Sequence, residues 1–113
     1  MTLIGPYEAL DNLADDCHFI AKQHGWLSDE TQRNPLVLLA LITSEVGEMV
    51  DAFRKPGPSE HCPELSNTEE EAADIIIRVL QMCAEHNLKI GDAVASKMAF
   101  NRTRPWKHGG KLY

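Results

Sequence analysis

Two short segments carry acidic pairs with the types and spacing to hold a divalent cation. SEVGEMVDAFRK (residues 44–55) places Glu45 and Glu48 at i and i+3. EEEAADIIIRVL (residues 69–80) places Glu71 and Asp74 at the same spacing. At about 100° per residue, Leu38, Leu41, Met49 and Ala52 fall within roughly 40° of the direction of Glu45. A carboxylate inside an apolar arc is costly without a partner, and a like-charged neighbour one turn on adds to the cost. Packing the two segments side by side as helices would aim all four acids at one volume. Hard oxygen ligands without a nearby His or Cys favour Mg²⁺, with Mn²⁺ as substitute, over zinc.

Structural readings compete with this one. Glu71 fits the third helical position of a capping box opened by Thr68. Asp74 could pair with Arg78 one turn on. Glu45 is harder to explain so, since a surface ion pair needs a surface. Di-iron carboxylate bundles use Glu-x-x-His pairs; none occurs, and Asp15-x-x-His18 is the nearest approach.

The opposite charge lies at the far end of the chain. Lys97, Asn101 and Arg104 follow i, i+4, i+7 spacing, and Lys107 and Lys111 come after them among Pro105, Trp106 and two glycines. Facing a carboxylate-held metal, such groups suit a polyphosphate: the metal bridges phosphate oxygens and the cations neutralise the rest. No GxxxxGK[ST] loop is present, so a phosphate site must be built from side chains. The net charge of −6 conceals this polarity: residues 97–113 hold five basic side chains and no acidic one. A helical interaction protein gripping nucleic acid through that basic end is the alternative, disfavoured by an acidic body.

The elements that must position these groups are helices. At 113 residues the expectation is one domain, 1–113, with a real core but room for help from oligomerisation. The first helix is predicted from Pro6 to His24, stopped by Gly25. The second opens at Asn34–Pro35 and runs to Arg54, where KPGPSEHCPEL breaks the pattern. The third begins near Thr68 and runs to His86, the fourth from Ile90 to Arg102, and an irregular tail follows. The fold class is therefore all-α, a four-helix-bundle-like arrangement with helices two and three central. The third helix is apolar around most of its circumference, which predicts a partner subunit against it. Cys17, Cys62 and Cys83 form no C-x-x-C pair, and Cys17 and Cys83 read as reduced core thiols. No apolar run is long enough to cross a bilayer, and the start lacks the pattern of a signal peptide. A cytoplasmic protein with no membrane partner is expected.

Glu45-x-x-Glu48, a gap of 22 residues and Glu71-x-x-Asp74 together resemble the split acidic signature of the MazG-like all-α nucleoside triphosphate pyrophosphohydrolases. SKMAFNRTRPWKHGGKLY also resembles that family's closing helix and tail, and the likeness runs from about Trp26 to the C terminus. The resemblance implies Mg²⁺-dependent cleavage of a (d)NTP to the monophosphate and pyrophosphate, a nucleotide-pool house-cleaning reaction. It implies metal ligands at Glu45, Glu48, Glu71 and Asp74, phosphate binding by Lys97, Asn101, Arg104, Lys107 and Lys111, and a homodimer or a tetramer built from dimers. His24, Trp26 and Arg33 are base-binding candidates by the same likeness, although Trp26 could instead pack in the core and His24 merely finish its helix. Some relatives carry Tyr where this chain has Arg78.

Overall fold

The computed structural model describes residues 3–27 and 32–113, with the backbone alone at His108. Four long helices and one helical turn follow in order: α1 (Pro6–Gln23), α2 (Pro35–Arg54), α3 (Asn67–Glu85), α4 (Ile90–Arg102) and α5 (Lys107–Gly110). No strand occurs among the described residues, and the all-α expectation holds. The turn α5 replaces part of the expected irregular tail.

Each boundary has a local cause. Pro6 starts α1 where its missing N–H costs nothing, and Gly25 at φ 78° turns the chain so that the Trp26 N–H returns to the Ala21 carbonyl at 3.0 Å. The Asn34 side chain caps α2 by accepting from the Leu36 N–H at 2.9 Å. The third helix opens one residue earlier than expected, through a capping box between Ser66 and Glu69. The Ser66 hydroxyl accepts from the Glu69 N–H at 3.1 Å, and the Ser66 N–H donates to Glu69 Oε1 at 3.1 Å. Thr68 and Glu71 do not form the box, so Glu71 is left without a capping role.

Helix α3 packs between α1 and α2, while α4 lies along α1. The core gathers Ala14, Cys17 and Leu80, flanked by Leu10, Ala84 and Ile90. Burial pushes the thiols of Cys17 and Cys83 upward, as expected for inert core cysteines. At the α1–α4 contact, the Gly91 N–H donates to Asp11 Oδ1 at 2.8 Å, so an α1 carboxylate satisfies an orphan donor at the start of α4. A β-carbon on Gly91 would collide with the Tyr7 carbonyl and the Asp11 carboxylate. Gly91→Ala should therefore cost about 1–3 kcal/mol by overpacking, read as a fall in the urea midpoint with unchanged slope.

Helix α2 is only partly covered. Leu38 and Ala52 are buried, but Leu41 from the same arc stands exposed, as do Val46 and Phe53 beside it and Ile76 and Ile77 of α3. An apolar arc marks a face to be covered, and within one chain only part of it is covered. The radius of gyration, 16.7 Å, exceeds the ~13 Å of a compact chain of this length.

Candidate active site

The acidic pairs meet where α2 and α3 run side by side. Glu45 of α2 and Glu71 and Asp74 of α3 each offer a carboxylate oxygen, all within 4.8 Å of one another. The i, i+3 spacing puts both α3 acids, Glu71 and Asp74, on the face turned to α2, whereas of the α2 pair Glu45 alone joins the cluster. Glu48 stands more exposed, at the lip of the cluster, and interacts with both Glu45 and Glu71.

The cluster is electrostatically strained. Burial, then the charges of Glu48, Asp74 and Glu45, push the Glu71 carboxyl up to about 7. Asp74 is raised by burial and by Glu45 and Glu70, while the Arg78 and His61 charges pull the other way. Glu48 is raised first by hydrogen bonding with Glu45 and then by that group's charge. Glu45 Oε2 and Glu71 Oε2 are buried with no hydrogen-bond partner. Two remedies exist for such oxygens: a proton shared between carboxyls, or a cation. A divalent ion with oxygen ligands fits this donor set, and Glu45, Glu71 and Asp74 are the residues that would hold it.

The shifts predict a pH dependence with a definite sign. A carboxyl raised from its ordinary value to about 7 binds its proton more tightly folded than unfolded. Its contribution to stability is complete below the unfolded pKa and disappears as pH rises through 7. In chelator, the melting temperature should fall between pH 5.5 and 8. A divalent ion held by these carboxylates would take the place of the proton, so saturating Mg²⁺ should abolish that fall. Thermal unfolding at several pH values with and without Mg²⁺ checks this; a melting curve rising with pH in chelator would contradict it.

Beside the acids lies a cleft of about 310 Å³ lined by apolar groups (Ile20, Ala21, Ile77) and by His24, Trp26, Arg33, Asp74, Arg78 and Gln81. The three residues expected near a base thus line one cleft with Asp74. Trp26 is largely exposed there and is not a core residue. Arg33 is held by Glu85, near the end of α3. The Arg33 N–H donates to Glu85 Oε2 at 2.7 Å and Arg33 Nε to Oε1 at 2.9 Å, and Gln32 Nε2 donates to the Glu85 carbonyl at 2.8 Å. Nothing in the sequence pattern singled out Glu85.

Glu70 has a separate task. It accepts from the buried Ser59 hydroxyl at 2.6 Å and contacts His61 Nδ1 at 3.0 Å, pinning the proline-rich loop to α3. The Ser59 bond holds Glu70 below the usual carboxylate range, and its partner His61 is raised. Placed beside Glu71, it is a structural acid in a run of three.

Of the basic stripe, Lys97 and Asn101 lie on α4, while Arg104 follows its end and Lys107 and Lys111 begin and close the turn α5. The Lys97 ammonium lies 4.7 Å from the Phe100 ring centre and the Arg104 guanidinium 4.9 Å from it; Asn101 is exposed between them. Lys107 stacks over Trp106 at 4.7 Å, and Lys111 is exposed.

Residues 33–106 match the family model described as the MazG nucleotide pyrophosphohydrolase domain. The chain belongs to that family. It is 34% identical over 90 residues to dCTP pyrophosphatase 1 of Mus musculus, covering 74% of this chain and 51% of that protein. The proteins of the same name from Homo sapiens and Bos taurus match at the same identity. The chain thus spans about half the length of the curated relatives it matches. No solved structure matches it. The MazG match includes α2, α3 and α4, and so both acidic pairs and the stripe of Lys97, Asn101 and Arg104. None of the described helices is long and apolar enough to cross a membrane.

Proposed function

We propose that this MazG-family chain hydrolyses a nucleoside triphosphate to the monophosphate and pyrophosphate with Mg²⁺ bound by Glu45, Glu71 and Asp74. The observation carrying the reading is the convergence of three carboxylates within 4.8 Å, with two buried oxygens lacking any partner. A bound divalent ion supplies charge neutralisation at the phosphates and a more acidic water. The chain's own residues do the rest. Glu48, exposed at the lip of the cluster, is the carboxylate we assign to take a proton from the attacking water. The cleft beside Asp74 receives the base, with Trp26 offering a ring to stack on and His24 and Arg33 polar edges.

The phosphates call for Lys97 and Asn101 of α4 and Arg104 just past its end, with Lys107 and Lys111 beyond. We assign that stripe to a site completed in a homodimer or a dimer of dimers. The exposed apolar faces of α2 and α3 and the expanded radius of gyration support such an assembly. A cytoplasmic location suits a nucleotide substrate.

The relatives' name makes dCTP the first substrate to test, in a panel of canonical and damaged ribo- and deoxyribonucleoside triphosphates. Pyrophosphate and monophosphate should form in equal amounts for at least one member, only with Mg²⁺ or Mn²⁺. Orthophosphate with a diphosphate product would overturn the proposal.

A further inference from the structure

Arg78 is the one cation in direct contact with the acidic cluster among the described residues. Its Nε donates to Glu45 Oε1 at 3.0 Å across the α2–α3 interface. The alternative partner was close at hand: Asp74 lies one turn back on the same helix, in the favourable order of acid before base. The side chain instead reaches the neighbouring helix, with the Glu45 side chain 13% exposed and its own 40%.

The form of this contact matters. An arginine can grip a carboxylate with two parallel N–H bonds and occupy both oxygens. Here one nitrogen takes one oxygen. Oε1 is tied, while Oε2 stays buried and unpartnered, on a residue that shares the 4.8 Å cluster with Glu71 and Asp74. A glutamate has three rotatable side-chain bonds and like-charged neighbours that push it outward, so without a tether it would leave the cluster. Groups that hydrogen-bond a ligating carboxylate from behind orient it, and their loss weakens metal binding.

We propose that Arg78 is a positioning residue for the divalent-cation site, holding Glu45 by Oε1 so that Oε2 is presented to the ion. Two effects of the guanidinium oppose each other. Its charge repels an incoming cation; its hydrogen bond fixes the ligand. The assignment states that fixing the ligand outweighs the repulsion. It rests on the reading of Glu45, Glu71 and Asp74 as cation ligands.

The test measures Mn²⁺ binding to the nucleotide-free protein, by the loss of the free-ion electron paramagnetic resonance signal, for the unaltered chain, Arg78→Lys and Arg78→Gln. Helix content by circular dichroism and the melting temperature in chelator are recorded for each, and a half-exposed position should tolerate both changes. Arg78→Gln should weaken Mn²⁺ binding about 10–100-fold. Arg78→Lys keeps the charge without the fork geometry and should fall between. Equal or tighter binding by Arg78→Gln would overturn the inference and make Arg78 a mere counter-ion, while leaving the metal reading intact. Absence of Mn²⁺ binding by the unaltered chain would overturn both. If Arg78→Gln fails to fold, the comparison passes to Arg78→Lys, where affinity equal to that of the unaltered chain would overturn the positioning role.

Discussion

Asp74→Asn and Glu71→Gln should each lower the rate of pyrophosphate release by a hundredfold or more and, in chelator, raise the melting temperature. The two effects have one cause. Each substitution keeps the side chain's shape and removes one negative charge from a cluster whose members raise one another's pKa values. Without a cation that repulsion destabilises the fold, so its relief is stabilising. On the proposed reading the same charge would hold the ion when substrate is bound, and loss of a single charge-stabilising group commonly costs about 10²–10³ in rate. Opposite signs for stability and activity mark a site whose strain serves function. Steady-state rates and chelator-treated melting curves on the same preparations decide the matter. A variant that loses both stability and activity would make the acid structural. Glu70→Gln is the control on the adjacent position. It should keep most activity and lose stability, because Glu70 holds the Ser59–His61 loop.

The contrast between Glu70 and Glu71 also marks what can be read from the chain. The acidic pairs are legible because i, i+3 spacing is a local property of a helix, and Glu45 announces itself by breaking an apolar arc. Spacing from Asp74 singles out Glu71 in the run Glu69–Glu71, but what its two neighbours do is not local. That depends on where α3 starts: the sequence pattern puts the cap at Thr68, whereas Ser66 caps the helix and engages Glu69. The loop decides: the Asn67 N–H donates to the Gly57 carbonyl at 2.8 Å and its side chain accepts from the Gly57 N–H at 3.2 Å. Ser66, next to that anchor, is the residue that caps, so Glu69 is spent on the box and Glu70 on the loop. Arg78 shows the same ambiguity. A partner one turn back and a partner on another helix satisfy the sequence equally, and only the packing of α2 on α3 selects Glu45. The arc of α2 was legible as apolar but not as to what covers it, since a core and an interface between subunits bury the same residue types.

Loss of the Glu85 carboxylate should be the most destabilising substitution in the chain, about 3–5 kcal/mol for Glu85→Ala. The Glu85 side chain is 3% exposed and takes both a backbone and a side-chain bond from Arg33, 52 residues away in sequence. Removing it leaves the Arg33 guanidinium and an N–H without their acceptor in a half-buried site, the situation in which a broken ion pair costs far more than the intact pair contributes. His86 Nε2 bonds the Arg33 carbonyl at 2.9 Å, so the end of α3 clasps residue 33 from two sides. That residue enters α2 and lines the cleft beside Asp74. A milder change, Glu85→Gln, keeps the shape and one acceptor and should leave a folded protein whose KM for nucleotide rises more than its kcat falls. A double-mutant cycle with Arg33→Ala, followed by urea unfolding at fixed protein concentration, isolates the pair from the packing. A coupling below about 0.5 kcal/mol would place the two residues in the range of ordinary surface ion pairs. A larger coupling would identify the clasp as what ties the start of α2, and with it the wall of the cleft, to the helix that carries Glu71 and Asp74.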